Sequence, residues 1–256
     1  MSARAFAAMA KKAPNDTLRE MYQYFHAEEQ RHANAEMALM KRWGMLDDED
    51  ALPEPNINIR LVVEWLERCA DDQPLVALGS VIPMLEIVLD GSLCKFLLEK
   101  VQDPVCHAVF AKINADEARH LGVDFMVLEM LGYGSAWQLG IKTAGSLLSP
   151  RLMIGILTYL PLLNKMRDNL IELGLSEEKL NFALRKYRTI GGRTAQGRRN
   201  PWFQIIAQHG QLVSDRRHRF YHAPVDALVW FTGKIPARLL PKPPSWVYEL
   251  TWKTAA

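Results

Sequence analysis

An all-α fold is expected, on three observations. Apolar residues recur at helical spacing over long runs, no stretch sustains strand alternation, and an acid-Glu-x-Arg-His pattern occurs twice, each time inside such a run. The first run is Asp16 to Trp43, without interior Gly or Pro, and Asn15 or Asp16 can cap its start. An acidic, proline-bearing loop follows (GMLDDEDALPEPN), then a shorter helix from about Ile57 to Ala70. A long apolar helix is expected from Pro74 to Val101, kinked at Pro83. Asp103-Pro104 opens the next, with Pro in the favoured first turn, and it should end near Gly132 and Gly134. Further helices break at Pro150, Gly174, Gly191-Gly192 and Pro201. The tail GKIPARLLPKPPSWVYELTW is too proline-rich for regular structure and reads as an extended arm.

Composition narrows the class. The 256 residues, 49% hydrophobic and 23% charged, have an ordinary globular balance. Cys69, Cys94 and Cys106 lie far apart with no CxxC pair, which argues against a disulfide framework or a zinc ribbon and fits a reducing cytoplasm. The opening MSARAFAAMAKKAP has no long apolar core and does not read as a secretory signal. The longest greasy stretch, Leu152 to Leu163, is shorter than the ~20 residues a spanning helix needs. Charge is uneven: residues 1–150 hold 14 Lys+Arg against 22 Asp+Glu, net −8, and residues 151–256 hold 17 against 7, net +10. The two parts therefore face different ligands.

The repeat carries the chemistry. Ala27-Glu28-Glu29-Gln30-Arg31-His32 matches Ala115-Asp116-Glu117-Ala118-Arg119-His120, 88 residues later, and an acid follows each histidine four residues on, Glu36 and Asp124. A single ExxH is weak, and two surface salt-bridge clusters are the bland alternative, but five matching positions on two helices point to metal. Residues three apart share a helix face, so Glu29 and His32 can grip one ion, and Glu117 and His120 another. Carboxylate with imidazole suits iron or manganese better than zinc. Two such helices facing each other would set the ions side by side, with Glu29 and Glu117 able to bridge them. Glu28, Arg31, Asp116 and Arg119 then make sense as the groups that orient the ligands, since a ligating histidine needs its other ring nitrogen held.

With these motifs the sequence resembles the ferritin-like di-iron carboxylate proteins, over about residues 15–133, and most closely the soluble acyl-carrier-protein desaturases and bacterial di-iron monooxygenase hydroxylases. The resemblance implies a ferritin-like four-helix bundle in residues 1–134 and leaves 135–256 as a helical extension with a basic face and Pro-rich tail. It implies two iron ions, or manganese, held by Glu29, His32, Glu86, Glu117 and His120, with Glu29 and Glu117 at the reacting centre. Glu86 is the lone Glu the family places before its second motif. It stands in the apolar run Pro83-Met84-Leu85-Glu86-Ile87-Val88-Leu89, where an acid is expensive to bury unless paired or bound. Glu28 and Asp116 would each orient the histidine of the opposite motif.

The sequence departs from the pattern at its start. Glu86 lies 31 residues before Glu117, and the same distance before Glu29 falls upstream of Met1. Residues 1–12 contain no acid, so the first helix is expected to be a truncated stub lacking its Glu ligand, with apolar faces of the Asp16–Trp43 and Pro74–Val101 helices left exposed, and a dimer or aggregate as the result. Within the superfamily, a radical tyrosine four residues after the first histidine is excluded, because that position is Glu36. Tyr22 reads as a core or surface residue.

The expected activity is O2-dependent oxidation of a C–H bond, by hydroxylation or desaturation, in a hydrophobic or acyl-type substrate, with a reductase or ferredoxin as electron donor. Val81, Ile82, Leu85 and Leu89 would line or back the pocket. The run Arg185, Lys186, Arg188, Arg193, Arg198, Arg199, followed by Trp202 and Phe203, reads as a solvated face or as a dock for an anionic carrier, a membrane surface or RNA, the last allowing an RNA-hydroxylating variant. Trp246, Tyr248 and Trp252 suit a membrane interface or packing on the bundle, so the location expected is cytoplasmic, or peripheral to the inner membrane surface. Asp215-Arg216-Arg217-His218 with His222 reads as a solvated basic surface. The alternative of another class is a ferritin-like binding or structural protein with an incomplete, non-catalytic metal site.

Overall fold

A computed structural model describes residues 2–46, 57, 59–63, 71, 73–130, 150–240 and 242, and among these the regular structure is entirely helical. Helix α1 spans Ser2–Lys11 and α2 spans Asp16–Arg42. Asn15, rather than Asp16, caps α2: its side chain accepts from Leu18 N at 2.9 Å. Lys41 and Arg42 sit at the negative end of the helix, and Gly44 at φ 68° closes it in the left-handed region that glycine tolerates.

The expected Pro74–Val101 helix is continuous, but not as one α-helix. Leu75–Glu86 (α3) passes into a π-helical stretch, Ile87–Cys94 (π1), and back into Lys95–Lys100 (α4). Both joints keep right-handed helical dihedrals, so the run widens instead of breaking. Asp103 caps α5, Pro104–Met130, by accepting from Val105 N and Cys106 N, and Arg42 of α2 donates to the same carboxylate at 3.0 Å. The expected helix end near Gly132 and Gly134 lies outside the described residues, as do Trp246, Tyr248, Trp252 and most of the Pro-rich tail. Of the Ile57–Ala70 helix, residues 57 and 59–63 are described and are helical.

The remaining helices are α6 (Pro150–Glu172), α7 (Glu177–Gly191), α8 (Ala195–Arg199), α9 (Pro201–Ser214) and α10 (Arg219–Thr232). The breaks near Pro150, Gly174, Gly191-Gly192 and Pro201 fall where the sequence marks them, while the one between Ser214 and Arg219 carries neither Pro nor Gly. Caps account for the starts: Ser176, Thr194 and Asn200 each accept from a backbone N–H of the following turn. No helix among the described residues is long and apolar enough to cross a membrane.

Among the described residues three apolar clusters hold the helices together, the smallest made of Leu39, Cys94, Cys106, Phe110 and Ile113. In the first, Phe6 and Met9 of α1 and Tyr22 and Phe25 of α2 pack with Ile82 and Leu85 of α3 and Leu162 and Leu163 of α6. This corrects the expectation of exposed apolar faces. Residues 2–11 form a helix, short but fully engaged, with Ala5, Phe6, Ala8 and Met9 all at 0% exposure, and α6 covers more of the same surface. Phe6 stacks on Tyr22 at 6.0 Å and meets Phe25 edge-on at 5.4 Å. In the second core, Val76 and Met84 of α3 and Phe125 of α5 pack against Leu180, Tyr187 and Phe203, so both ends of the sequence contribute to one interior. Buried Tyr187 donates to Ser80 O at 2.8 Å across that core.

Two glycines should respond oppositely to alanine. A Cβ at Gly191 would lie 2.2 Å from the ring of the fully buried Phe203, which has no room to yield. Gly191→Ala should cost about 1–3 kcal/mol. Gly122, exposed within α5, has nothing within 4 Å of its would-be Cβ, so Gly122→Ala should stabilise by roughly 0.5–1 kcal/mol. Thermal melts that move in the same direction for both would contradict this packing.

Candidate metal centre

The i, i+3 spacing works as local geometry dictates. Helix α2 brings Glu29 and His32 to one face, α5 does the same with Glu117 and His120, and α3 delivers Glu86 at its last turn, just where π1 begins. Glu29, Glu86, Glu117 and His120 each offer one ligand atom, all within 4.8 Å of one another. His120 Nδ1 lies 3.5 Å from Glu29 Oε1, 3.5 Å from Glu117 Oε2 and 3.9 Å from Glu86 Oε1. His32 Nδ1 stands on the other side, 3.0 Å from Glu117 Oε1 and 3.6 Å from Glu29 Oε1. All five proposed ligands therefore converge, and Glu29 and Glu117 each reach both histidines.

The outer ring nitrogens are held crosswise. His32 Nε2 is 3.2 Å from Asp116 Oδ2, and His120 Nε2 is 3.1 Å from Glu28 Oε2, each an acid of the opposite motif. An N–H donated outward fixes the tautomer that turns the Nδ1 lone pair toward the carboxylates. Arg119 ties the acids to each other, with Nη2 2.7 Å from Glu28 and Nη1 2.8 Å from Asp116. Arg31 does less, 3.7 Å from Glu28 and lying over the Tyr24 ring. Lys112, one turn before Asp116, pairs with that acid, a partner the motif comparison missed although i, i+4 spacing announces it.

Burial makes this cluster expensive. Glu28, Glu86, Asp116, Glu117, Asp124, His32 and His120 are all less than a tenth exposed. Among the described residues Glu29 Oε1, Glu117 Oε2 and both inward Nδ1 atoms make no hydrogen bond, despite their close approach to one another. Polar atoms that converge without pairing are what a cation would satisfy. The donor set of three carboxylates and two imidazoles fits one or two hard-to-intermediate divalent ions.

Without such an ion, protons do the neutralising. Burial works against a charged imidazole, but Glu117, Glu29 and Asp116 around His32 outweigh it and raise that histidine to about 10. His120 likewise overcomes its burial, through Glu117, Glu29 and Glu28, and rises to about 10. Glu29 falls to about 2 because His120 and His32 overcome its own desolvation. Asp124 is pushed up to about 8 by burial, with the Glu117 and Glu29 charges adding to it.

Aromatic rings close one side. Phe25 lies 4.2 Å from the His120 ring and Phe6 meets it edge-on at 5.5 Å. Helix α1 thus presents a phenyl ring near the histidine and no acid. Glu117 also reaches a cleft of about 930 Å³. Ile87, Phe96, Leu121, Phe125, Phe182 and Ile190 wall it, and its charged lining is mixed, with Lys95, Lys179, Arg185, Lys186 and Arg193 against Glu99, Glu117, Glu129 and Glu178. The expected pocket residues differ: Ile82 and Leu85 are buried in the first core with Val81 packed against it, and the Leu89 side chain lies outside the described part. The cleft walls come from π1, α4, α5 and α7, a meeting of distant segments that no local pattern records.

Of the basic run, Arg198 is a brace rather than a free cation, since its Nη1 donates to Gly192 O and Arg193 O, both at 2.9 Å. The Asp215–His222 segment is only partly the solvated surface expected. Arg217 is exposed, but His222 is buried, with Nε2 3.0 Å from Asp215 O and Asn164 Nδ2 3.3 Å from its Nδ1.

Two measurements test this geometry. Asp116→Asn should keep the fold but weaken Fe(II) or Mn(II) binding by ~10–100-fold, and unchanged affinity would deny the orienting role. In the chelated protein, stability should fall as pH rises from 6.5 toward 10, because the raised histidines stabilise only while protonated. Asp124 acts in the same direction, losing stability between 3.8 and about 8. Metal-loaded protein should lose this slope, and a chelated melt that is flat or rising over the window would count against the charge pairing.

The chain matches no family model, no curated protein and no solved structure.

Proposed function

We propose that this chain is a non-haem di-iron oxidoreductase on a ferritin-like bundle, which uses O2 to oxidise a C–H bond of a hydrophobic or acyl-type substrate. The observation that carries the reading is the crossed arrangement of the repeat, with each histidine anchored by the acid of the other motif while its inner nitrogen faces shared carboxylates. Structural salt bridges have no need of that reciprocity. When bound, a pair of iron ions supplies the reduction of O2. Hydroxylation would consume R–H, O2, two electrons and two protons to give R–OH and water. Desaturation would use the same oxidant, two electrons and two protons to turn CH2–CH2 into CH=CH with two waters, the electrons coming from a reductase or ferredoxin.

The chain's own residues would divide the work. Glu29 and Glu117, each close to both imidazoles, would hold the ions together, and Glu86 with His120 would complete the better-furnished position. Phe6 and Phe25 keep water from the His120 side. The cleft beside Glu117 could take an apolar chain against Phe96, Phe125 and Phe182, with Lys95, Lys186 or Arg193 for an anionic head. The substrate class rests on the apolar wall, with these cations available to an anionic head although Glu99, Glu129 and Glu178 also line the cleft.

A second reading has its own observation. Among the described residues His32 shares Glu29 and Glu117 with His120, while the further acid whose charge it feels, Glu36 four residues on, is held above the usual carboxylate range by burial and makes a poorer ligand than Glu86. A protein that binds metal without catalysis would tolerate such a position. Anaerobic Fe(II) titration separates the two. The expected result is two binding events of unequal affinity, the tighter lost in Glu86→Ala, the weaker in His32→Ala, and both in Glu117→Ala. Reduced, loaded protein should then consume O2, while full loading with no O2 uptake would favour the non-catalytic reading. Metal content unchanged in Glu117→Ala and His120→Ala would end both.

A further inference from the structure

Helix α10 has an exposed face with the wrong chemistry for water. At 100° per residue, Phe220, Ala223, Pro224, Ala227, Trp230 and Phe231 fall within a stripe of roughly 120°. All six are exposed, Phe220 fully and Trp230 and Phe231 at 67% and 60%. The opposite face is committed to the protein, with His222, Val225 and Thr232 buried. The helix is therefore apolar on the side it turns outward, where a surface helix is ordinarily charged. Its one acid, Asp226, lies off the stripe and is bonded to Arg216 at 3.0 Å. Exposed Leu239 in the following 3-10 turn, Ala237–Leu239, adds to the apolar surface.

The flanks are cationic. Residues 215–242 hold six Lys and Arg against two Asp, a net of +4. Arg219, Lys234, Arg238 and Lys242 are exposed, and Lys234 Nζ sits 5.5 Å from the Trp230 ring centre. Trp and Phe on a helix bordered by Lys and Arg is the composition of an element that lies in the plane of a membrane interface. We propose that α10 docks this protein on an anionic phospholipid surface, with Phe220, Trp230 and Phe231 entering the headgroup–acyl boundary and Arg219, Lys234 and Arg238 meeting lipid phosphates.

Size and charge decide against a second copy of this chain. A helix of 14 residues is about 21 Å long, and a stripe some 10 Å wide gives about 200 Å², far below the ~800 Å² per partner of a stable dimer. Like-charged flanks would also repel each other across a two-fold contact. A bilayer needs no matching surface and supplies the opposite charge. The inference stands apart from the metal chemistry and does not depend on it.

Co-sedimentation of the full chain tests it, with vesicles of equal parts phosphatidylglycerol and phosphatidylcholine and with phosphatidylcholine alone. Binding is expected to the anionic vesicles and to weaken as salt rises. Combined Phe220→Ser, Trp230→Ser and Phe231→Ser should lower the partition coefficient by about tenfold or more, without changing the thermal melt, because these side chains are exposed. Arg219→Glu with Lys234→Glu should flatten the salt dependence. Failure to bind anionic vesicles, equal binding by the serine variant, equal binding to phosphatidylcholine alone, or a dimer that the serine variant dissolves while vesicles are ignored would each overturn the proposal.

Discussion

Everything around the centre follows from the need to keep buried carboxylates and imidazoles neutralised. An uncompensated charge in a protein interior costs several kcal/mol, so acids buried this close together must be answered by protons, by cationic side chains or by a metal. Here the first two are in play, and the convergent carboxylates and imidazole could hold the third. Arg119 and Lys112 answer Glu28 and Asp116 at the periphery, where the cations can keep their ends half in water. At the middle, among the described residues, the histidines are the cationic partners within 4 Å of Glu29 and Glu117. A cluster neutralised from outside by arginine and from inside by titratable imidazole can exchange protons for metal without dismantling its frame.

The frame is made of the same residues that carry the repeat. Glu28 and Asp116 each belong to one helix and hold the histidine of the other, so the pairs act as cross-links between α2 and α5. Helix α1 contributes by exclusion. Phe6 and Met9 fill the space beside Tyr22, Phe25 and His120 that would otherwise admit water to the centre. A ring against an imidazole raises the electrostatic strength of the interactions behind it, because it lowers the local dielectric.

How much of this was legible in the sequence depends on how local the physics is. Helix ends at Pro150, Gly174, Gly191 and Pro201 could be read because caps and φ constraints act within a turn. The five converging side chains could be read because i, i+3 chemistry repeated twice and Glu86 stood alone in an apolar run. What escaped was tertiary. That residues 2–11 pack over Tyr22 and Phe25, that Arg198 braces a turn, that His222 is buried against Asn164, and that the cleft wall comes from α7 all depend on which distant faces meet. Patterning shows that a face is apolar but not which face covers it. The basic run illustrates the limit, since it splits into Arg185, Lys186 and Arg193 at the cleft and Arg198 on the backbone.

The π-helical stretch joins the two halves of the site. Pro83 has no N–H to give, so the helical ladder is already incomplete one turn before Glu86. From Ile87 the ladder widens to i→i+5, and Ser92 Oγ donates to Ile87 O at 3.2 Å, five residues back. In an α-helix, residues five apart point roughly 140° away from each other. In the widened turn they come nearer to one side, and both Ile87 and Ser92 line the cleft, followed by Lys95 and Phe96. An unbroken α-helix through this segment could aim Glu86 at the cluster or line the cleft along its next two turns, but the faces required differ. The π segment changes the phase between them, so one continuous element supplies an acid to the centre and then a wall to the space beside it.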